Sequence, residues 1–423
     1  MPKTIAITPS HYWPRGVPRT VGIPPFLLTQ LAVERWARRA PDAQLIGGDS
    51  RTISAGTLAS TVRAAAIALR GRVPEGSRIV ISAGASSEGA VLVLAALASG
   101  RQTVLVVPGT KTASAASAAG VTLAASDPHG LSELSTAGIP ALRLDELLGG
   151  DLPPADQGSR TERDGYSEDA TRKPIAGFPV GDRVAWHSHR SLLSHALSMR
   201  AFFAGAGGID PHVNGTGGSP ADAVISTLSP CSWPGLAVLA FALLAGNTWI
   251  GCEMDDRFAE RLSSDQPAWL ATPLAEAALS LPAGGRRARK ERSVRSGALL
   301  TIDGPFDPDG PIAVGRALGC PALSLFGMPE TGPVLASHPS WYLVESAGIP
   351  LPNVHLVPTD PRSGEPISTL WELVDAAAMK VWSPSVMLGY DAGTATDAGT
   401  GRTFATGKLA AADPNGMLYL LDG

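Results

Sequence analysis

"RIVISAGASSEGAVLVLAALASGRQTVLVV", residues 78–107, is the stretch on which the fold turns. Arg78–Ser82 is short, apolar and β-branched, and reads as a buried strand. Ser87–Ser99 is a longer run rich in Ala and Leu and reads as an apolar helix; Thr103–Val107 returns to strand composition. A strand, a helix and a strand in about thirty residues imply parallel pairing with a crossover helix on one face of a sheet. The alanine-rich Ser114–Ala119 then leads into a further strand at Val121–Ala125.

A second round of the same kind begins near Ala223. Strands are expected at Val224–Leu228, Asn247–Gly251, Ala268–Ala271, Leu299–Asp303 and Ala322–Phe326. Helices fit at Gly235–Leu244, Phe258–Ser263, Pro273–Leu281 and Pro311–Leu318. Two α/β rounds imply two layered subdomains with a ligand crevice between them, at the C-terminal ends of their strands. After Pro333 the texture changes to short β-like runs broken by Gly, Pro and Asp. These are Val354–Val357, Leu370–Val374, Lys380–Trp382, Thr403–Thr406 and Leu418–Leu421, and they suggest a small antiparallel barrel. Pro153–Arg172 is polar and charged and reads as an exposed loop. The expected division is therefore 1–183 for the first α/β subdomain with its N-terminal segment, 184–333 for the second, and 334–423 for the barrel.

Composition narrows the function classes. The chain has 423 residues, 44% hydrophobic and 17% charged, with a formal net charge of −4, which gives no reason to expect a nucleic acid or a membrane as partner. Cys231, Cys252 and Cys320 are far apart and form no CxxC or other metal-ligand pattern, as a reducing compartment allows. Trp13, Pro14 and Arg15 stand where a signal peptide would be apolar, and Ala237–Ala245 is too short to span a bilayer, so a cytoplasmic location is expected.

Six stretches, in order, carry a resemblance that runs almost end to end. They are "HYWPRGVPRTV" (11–21), "VAWHSHRSLL" (184–193), "LFGMPETG" (325–332), "GIPLPNVHLV" (348–357), "VWSPSVMLGY" (381–390) and "FATGKLAAADPNGMLYLLDG" (404–423). The chain resembles the large N-terminal domain of the adenylate-forming superfamily, which holds acyl-CoA synthetases, adenylation domains and luciferases. The resemblance implies two layered α/β subdomains plus a small β-barrel. It also implies chemistry that joins a carboxylate to the α-phosphorus of ATP and expels pyrophosphate.

Several residues depart from what that chemistry needs. The family's phosphate loop carries hydroxyls, glycines and a lysine. Aligned back from His187, this chain offers Ile175–Val184, a segment with no hydroxyl, with bulky Phe178, with Pro179 lacking an N–H, and with Asp182 set to repel a triphosphate. Gly177 and Arg183 are what remain, and Arg183 is a candidate phosphate ligand. Glu330 matches the magnesium-binding glutamate, beside Pro329 and Phe326 where the family has Thr and Tyr. Lys408 replaces the aspartate that accepts the ribose hydroxyls; lysine has three donors and no acceptor, so it would pair with an anion instead. The sequence ends at Gly423, where the hinge and the C-terminal domain bearing the catalytic lysine would begin, so that domain is expected to be absent.

The remaining candidates line the implied acyl site. "SPCSWPG" (229–235) stands at the corner beside the acyl pocket, with Trp233 in place of a histidine and with Cys231 and Ser232 beside it. Gly297 and Ala298 in "SGALL" resemble the small-residue wall of the carboxylate pocket, and Phe326, Gly327 and Met328 would close it. His187 and His189 flank Ser188, which reads as a helix N-cap; either histidine would be the natural general base if acyl transfer occurs, and Glu330 completes the catalytic candidates. The run "RRARKERSVR" (286–295) carries six basic residues against one acid and reads as a solvated helix face, or as a patch for CoA or a carrier protein.

Three functions remain open. One is a diverged protein that has lost ATP chemistry and binds, or transfers, an acyl or aryl group presented on CoA or on the phosphopantetheine of an acyl or peptidyl carrier protein. The others are an AMP-forming ligase whose C-terminal domain lies elsewhere, and a non-catalytic scaffold. ATP and magnesium are not expected as cofactors, and no metal site is expected.

Overall fold

A computed structural model describes residues 7–48, 52–109, 121–128, 130–131, 134, 141–149, 168–203, 223–253, 268–275, 277, 297–302, 309–367, 374–390 and 402–421. Two helices sit at its centre. Ser87–Ser99 and Trp233–Ala245 are buried on nearly every side, as a helix without a polar face must be. Each is delimited by local chemistry. Ser86 Oγ accepts the Gly89 N–H at 2.9 Å and Gly100 ends the first helix at φ +73°. Ser232 Oγ accepts the Gly235 N–H at 3.1 Å and Gly246 ends the second at φ +82°. Both helices belong to one hydrophobic core, and burying each of their Leu or Val side chains contributes about 1.5–3 kcal/mol.

Two mainly parallel sheets share this core. The first has six strands in the order Ala141–Leu142, Val121–Ser126, Arg78–Ser82, Gln102–Val106, Pro174–Val180, Arg183–Ser188; the last runs antiparallel to its neighbour. The second has nine, in the order Ile349–Pro350, Gly332–Ala336, Ala322–Met328, Gly297–Ile302, Ala268–Pro273, Ala223–Ser226, Trp249–Gly251, Gln44–Gly47, Thr52–Ser54. Its six inner strands are parallel, and antiparallel strands close both edges. A third sheet is an antiparallel meander of His355–Thr359, Val374–Ser383, Arg402–Ala412 and Leu418–Leu421. This is the α/β architecture with a β-barrel-like addition that the sequence implied; the barrel is a curled half-barrel.

The sheets do not respect the expected boundaries. A break at 183/184 cuts a hairpin whose two strands, Pro174–Val180 and Arg183–Ser188, pair along their length. Gln44–Gly47 precedes the first α/β round yet pairs with Trp249–Gly251 in the second sheet, Ile46 opposite Trp249. Gly332–Ala336 and Ile349–Pro350 close the nine-stranded sheet rather than the half-barrel. Pro273 ends a strand, where a helix start was expected. Ser114–Ala119, Phe258–Ser263, 286–295 and most of Pro153–Arg172 lie outside the described residues. Among the described residues no helix is long and apolar enough to cross a membrane.

Candidate functional site

Two hairpins, one from each of the two mainly parallel sheets, meet through His187 and Pro329. The first is Pro174–Ser188. Val180 pairs with Arg183, leaving only Gly181 and Asp182 in the turn, and Gly181 has φ +60°. A positive φ at the first turn position is the type II′ arrangement, which matches the twist of the strands it joins. The expected phosphate loop is thus a tight hairpin. Successive N–H groups in a strand point to opposite sides, so they cannot converge on an anion as those of a glycine-rich loop do.

The second hairpin joins Ala322–Met328 to Gly332–Ala336 through Pro329, Glu330 and Thr331. Gly327 is required here. A Cβ at that position would lie 2.3 Å from the Gly332 carbonyl oxygen and 2.6 Å from the Trp233 ring, so Trp233 rests on the glycine face.

A histidine bolts the hairpins together. His187, on the return strand of the first, donates from Nε2 to the Pro329 carbonyl of the second at 2.7 Å. Its Nδ1 lies 3.3 Å from Ser191 Oγ. Four residues of the segment after Ser383 complete the seam. Trp186 N donates to the Gly389 carbonyl at 3.0 Å, Leu388 N donates to the Trp186 carbonyl at 2.7 Å, and Met387 N donates to the Glu330 carbonyl at 2.7 Å. His195 donates from Nε2 to the Ser385 carbonyl at 3.0 Å, and its ring meets that of His187 at 5.2 Å.

Glu330 is 4% exposed. Its Oε1 accepts the Tyr390 hydroxyl at 2.8 Å, while Oε2 is buried with no hydrogen-bond partner among the described residues. The Arg183 guanidinium lies 3.8 Å from the centre of the Tyr390 ring, so its charge is held against an aromatic face rather than paired with Glu330. Burial, and then the bond to Glu330, raise the Tyr390 pKa above the usual phenol range.

The histidines expected as bases are placed otherwise. Burial lowers His187 and His189 to about 4 and His195 to about 3, so all three are neutral at pH 7. His189 opens the helix His189–Phe203 and its Nδ1 accepts the Leu28 N–H at 3.4 Å. Ser188 caps that helix as expected, accepting the Ser191 N–H at 3.2 Å. With both ring nitrogens of His187 engaged and His189 2% exposed, their surroundings are those of core residues.

The structure also sorts the acyl-site candidates. Trp233, Phe326 and Gly327 gather with Glu330 at the second hairpin, with half-buried Met328 next in the strand. Ser232 is the cap of the central helix. Cys231 is 1% exposed, and burial pushes its thiol up to about 12, which leaves it without thiolate character. Gly297 and Ala298 are elsewhere. Ala298 pairs with Ala322 and Ile302 pairs with Phe326, so the "SGALL" segment opens its strand some four residues from the crevice edge, roughly 13 Å away. Ala298 instead joins a separate core with Leu270, Leu300 and Val314. Lys408 is half-buried, lifted by a bulge at Thr406–Lys408 where Gly407 has φ +68°; its backbone N–H donates to Thr406 Oγ1 at 3.1 Å. No ion pair joins it to Glu330 among the described residues. Tyr390 and His195 were missed by sequence reasoning, although Tyr390 ends a motif that had been singled out.

No family model matches the sequence, and no curated protein matches it. Solved structures do. The chain is similar to a long-chain-fatty-acid-CoA ligase from Archaeoglobus fulgidus at 12% identity and a TM-score of 0.75, over 97% of this chain and 86% of that one. It is similar to a benzoate CoA ligase from Burkholderia xenovorans at 18% identity and 0.73, over 93% and 79%. It is also similar to ATP-bound MatB from Rhodopseudomonas palustris at 19% identity and 0.72, over 94% and 78%. At these identities the likeness shows the fold, which is that of the N-terminal domain of adenylate-forming enzymes.

Proposed function

We propose that this chain has an acyl-CoA-ligase-like fold that no longer adenylates, and that it holds an acyl or aryl group delivered as a thioester on CoA or on a carrier protein. The observation that carries the reading is the hairpin Pro174–Ser188, formed by the segment that aligns with the family's phosphate loop. Lys408 supports it, since an ammonium cannot accept a hydrogen bond from ribose. The buried Oε2 of Glu330 supports the choice of thioester over free acid: a second carboxylate beside it would meet like charge in a dry site. Apolar surroundings from Trp233 and Phe326 suit an acyl or aryl body. In this reading Arg183 and Lys408 face the phosphates of the thioester carrier, and the protein binds the group with no ATP or magnesium.

A second reading has its own observation. Trp233 already covers the face of Gly327, and the histidines of the seam are neutral and buried, which favours a non-catalytic scaffold. Calorimetry and thermal shifts with free acids, their CoA thioesters and carrier-bound thioesters separate the two. The first reading expects thioesters to bind at least tenfold more tightly than the acids; if no thioester binds or stabilises the chain, the scaffold reading replaces it. Pyrophosphate exchange by this chain would restore the ligase reading.

A further inference from the structure

A second cleft lies on the other side of the molecule. It has a volume of about 800 Å³ and is formed between residues 11–16 and residues 338–341. Gly332–Ala336 runs back from the Glu330 turn, and Ser337 N donates to the Ser324 carbonyl, so His338–Trp341 emerge where the parallel strands begin. The cleft is therefore at the edge opposite the crevice, beyond roughly 13 Å of strand.

Its walls are built rather than incidental. The Phe202 ring supports both sides, 6.5 Å from the Trp13 ring and 5.2 Å from that of His338. Trp13 Nε1 donates to the Val17 carbonyl at 2.7 Å, and Asn353 exchanges two hydrogen bonds with the backbone of Val21 at 2.8 and 2.9 Å, which fixes the N-terminal segment. Tyr12 lies nearly parallel to Trp341, 5.7 Å apart and inclined by 15°. Aromatic residues are 5% of the chain, yet Tyr12, Trp13 and Trp341 are three of the ten that line this cleft. All three are half-buried, and the His11 ring lies 4.2 Å from that of Tyr12.

Charge selects among ligands for such a surface. Aromatic faces accept cations and flat apolar groups alike. Here the Trp13 face is already taken by Arg19, whose guanidinium carbon is 4.3 Å from the ring centre. Arg15 is exposed at the rim, and no Asp or Glu lines the cleft. A cationic ligand would meet two guanidinium groups and no counter-charge. A flat anion would stack on Tyr12 and Trp341 and pair with Arg15. We infer that the cleft between residues 11–16 and 338–341 is a binding site for a planar aromatic anion, such as an aryl carboxylate, separate from the crevice at Glu330. Its volume is within the roughly 300–1,000 Å³ of small-molecule sites.

The test titrates the purified chain with 2-naphthoate, following tryptophan fluorescence and calorimetry, alongside neutral 2-naphthylmethanol and cationic 2-naphthylmethylamine. Saturable binding of the anion is expected, with the neutral probe weaker and the cation weakest. Arg15→Glu, an exposed change that leaves the fold intact, is expected to weaken the anion by about tenfold or more. Trp341→Ala is expected to weaken anion and neutral probe together. Glu330→Gln is expected to leave naphthoate affinity unchanged; tighter binding in that variant would place the anion in the crevice and overturn the assignment. Absence of saturable binding, equal affinity in Arg15→Glu, or a cation bound as tightly as the anion would also overturn it.

Discussion

The two hairpins at the crevice have the same topology and opposite chemistry. Pro174–Ser188 closes the six-stranded sheet and Ala322–Ala336 closes the strands on the other side, and His187 joins them at Pro329. The second keeps a three-residue turn, a glycine under an aromatic ring and a buried carboxylate. The first has a two-residue turn, no hydroxyl from Ile175 to Val184, and a ladder in place of a loop. The proposed function reads this contrast as a carboxylate side kept and a phosphate side given up. A fold can lose one half of a reaction centre while its core and the facing half stay in place, because the two halves lie on different sheets.

Acid is expected to have the largest effect on the buried histidines around the seam. The unfolded chain protonates histidine near 6.5, whereas folded His187, His189 and His195 resist protonation down to about 4, 4 and 3. The unfolded state therefore binds more protons below pH 6.5, and stability is lost as the pH falls from there toward 4. Between pH 7.5 and 5 each ring is expected to cost about 2 kcal/mol. Urea midpoints at the two values measure it; an unchanged midpoint would mean that the rings are exposed and free to act as bases.

Substitutions give smaller effects. Gly327→Val forces atoms into the Gly332 carbonyl and the Trp233 ring, and is expected to destabilise by about 3 kcal/mol, by the same denaturation assay. Tyr390→Phe removes the donor to Glu330 Oε1 and is expected to cost about 1.5 kcal/mol. In a double-mutant cycle with Glu330→Gln that cost should shrink, since the partner is then uncharged; full additivity would show that the bond is not formed. Gly181→Ala places a Cβ at φ +60° and is expected to cost about 1 kcal/mol, confined to the first hairpin. Faster hydrogen exchange at Val180 and Arg183, with the second hairpin unaffected, would sharpen the distinction between them.

Sequence reasoning saw the parts set by local pattern. Ser87–Ser99 and Leu418–Leu421 have the expected bounds because composition changes sharply at their ends. Gln44–Gly47 and Thr52–Ser54 were not seen as strands, since these short runs gain their meaning only from the ladder beside Trp249. "SGALL" misled because a parallel strand presents its C-terminal end to ligands, and Gly297 is its first residue. The altered phosphate segment was read as a defective loop. The signal for a hairpin was present, Gly181-Asp182 between two apolar runs, but the motif alignment concealed it. Burial was beyond reach for His187 and His189: spacing shows a histidine before a helix, and only packing shows that its ring is dry.

In the proposed function the first hairpin has replaced a nucleotide grip. Isothermal titration of this chain with MgATP tests it most directly. Several lost hydrogen bonds at about 1–3 kcal/mol each leave an expected affinity weaker than about 1 mM, with no saturable heat. A saturable heat with micromolar affinity would contradict the account.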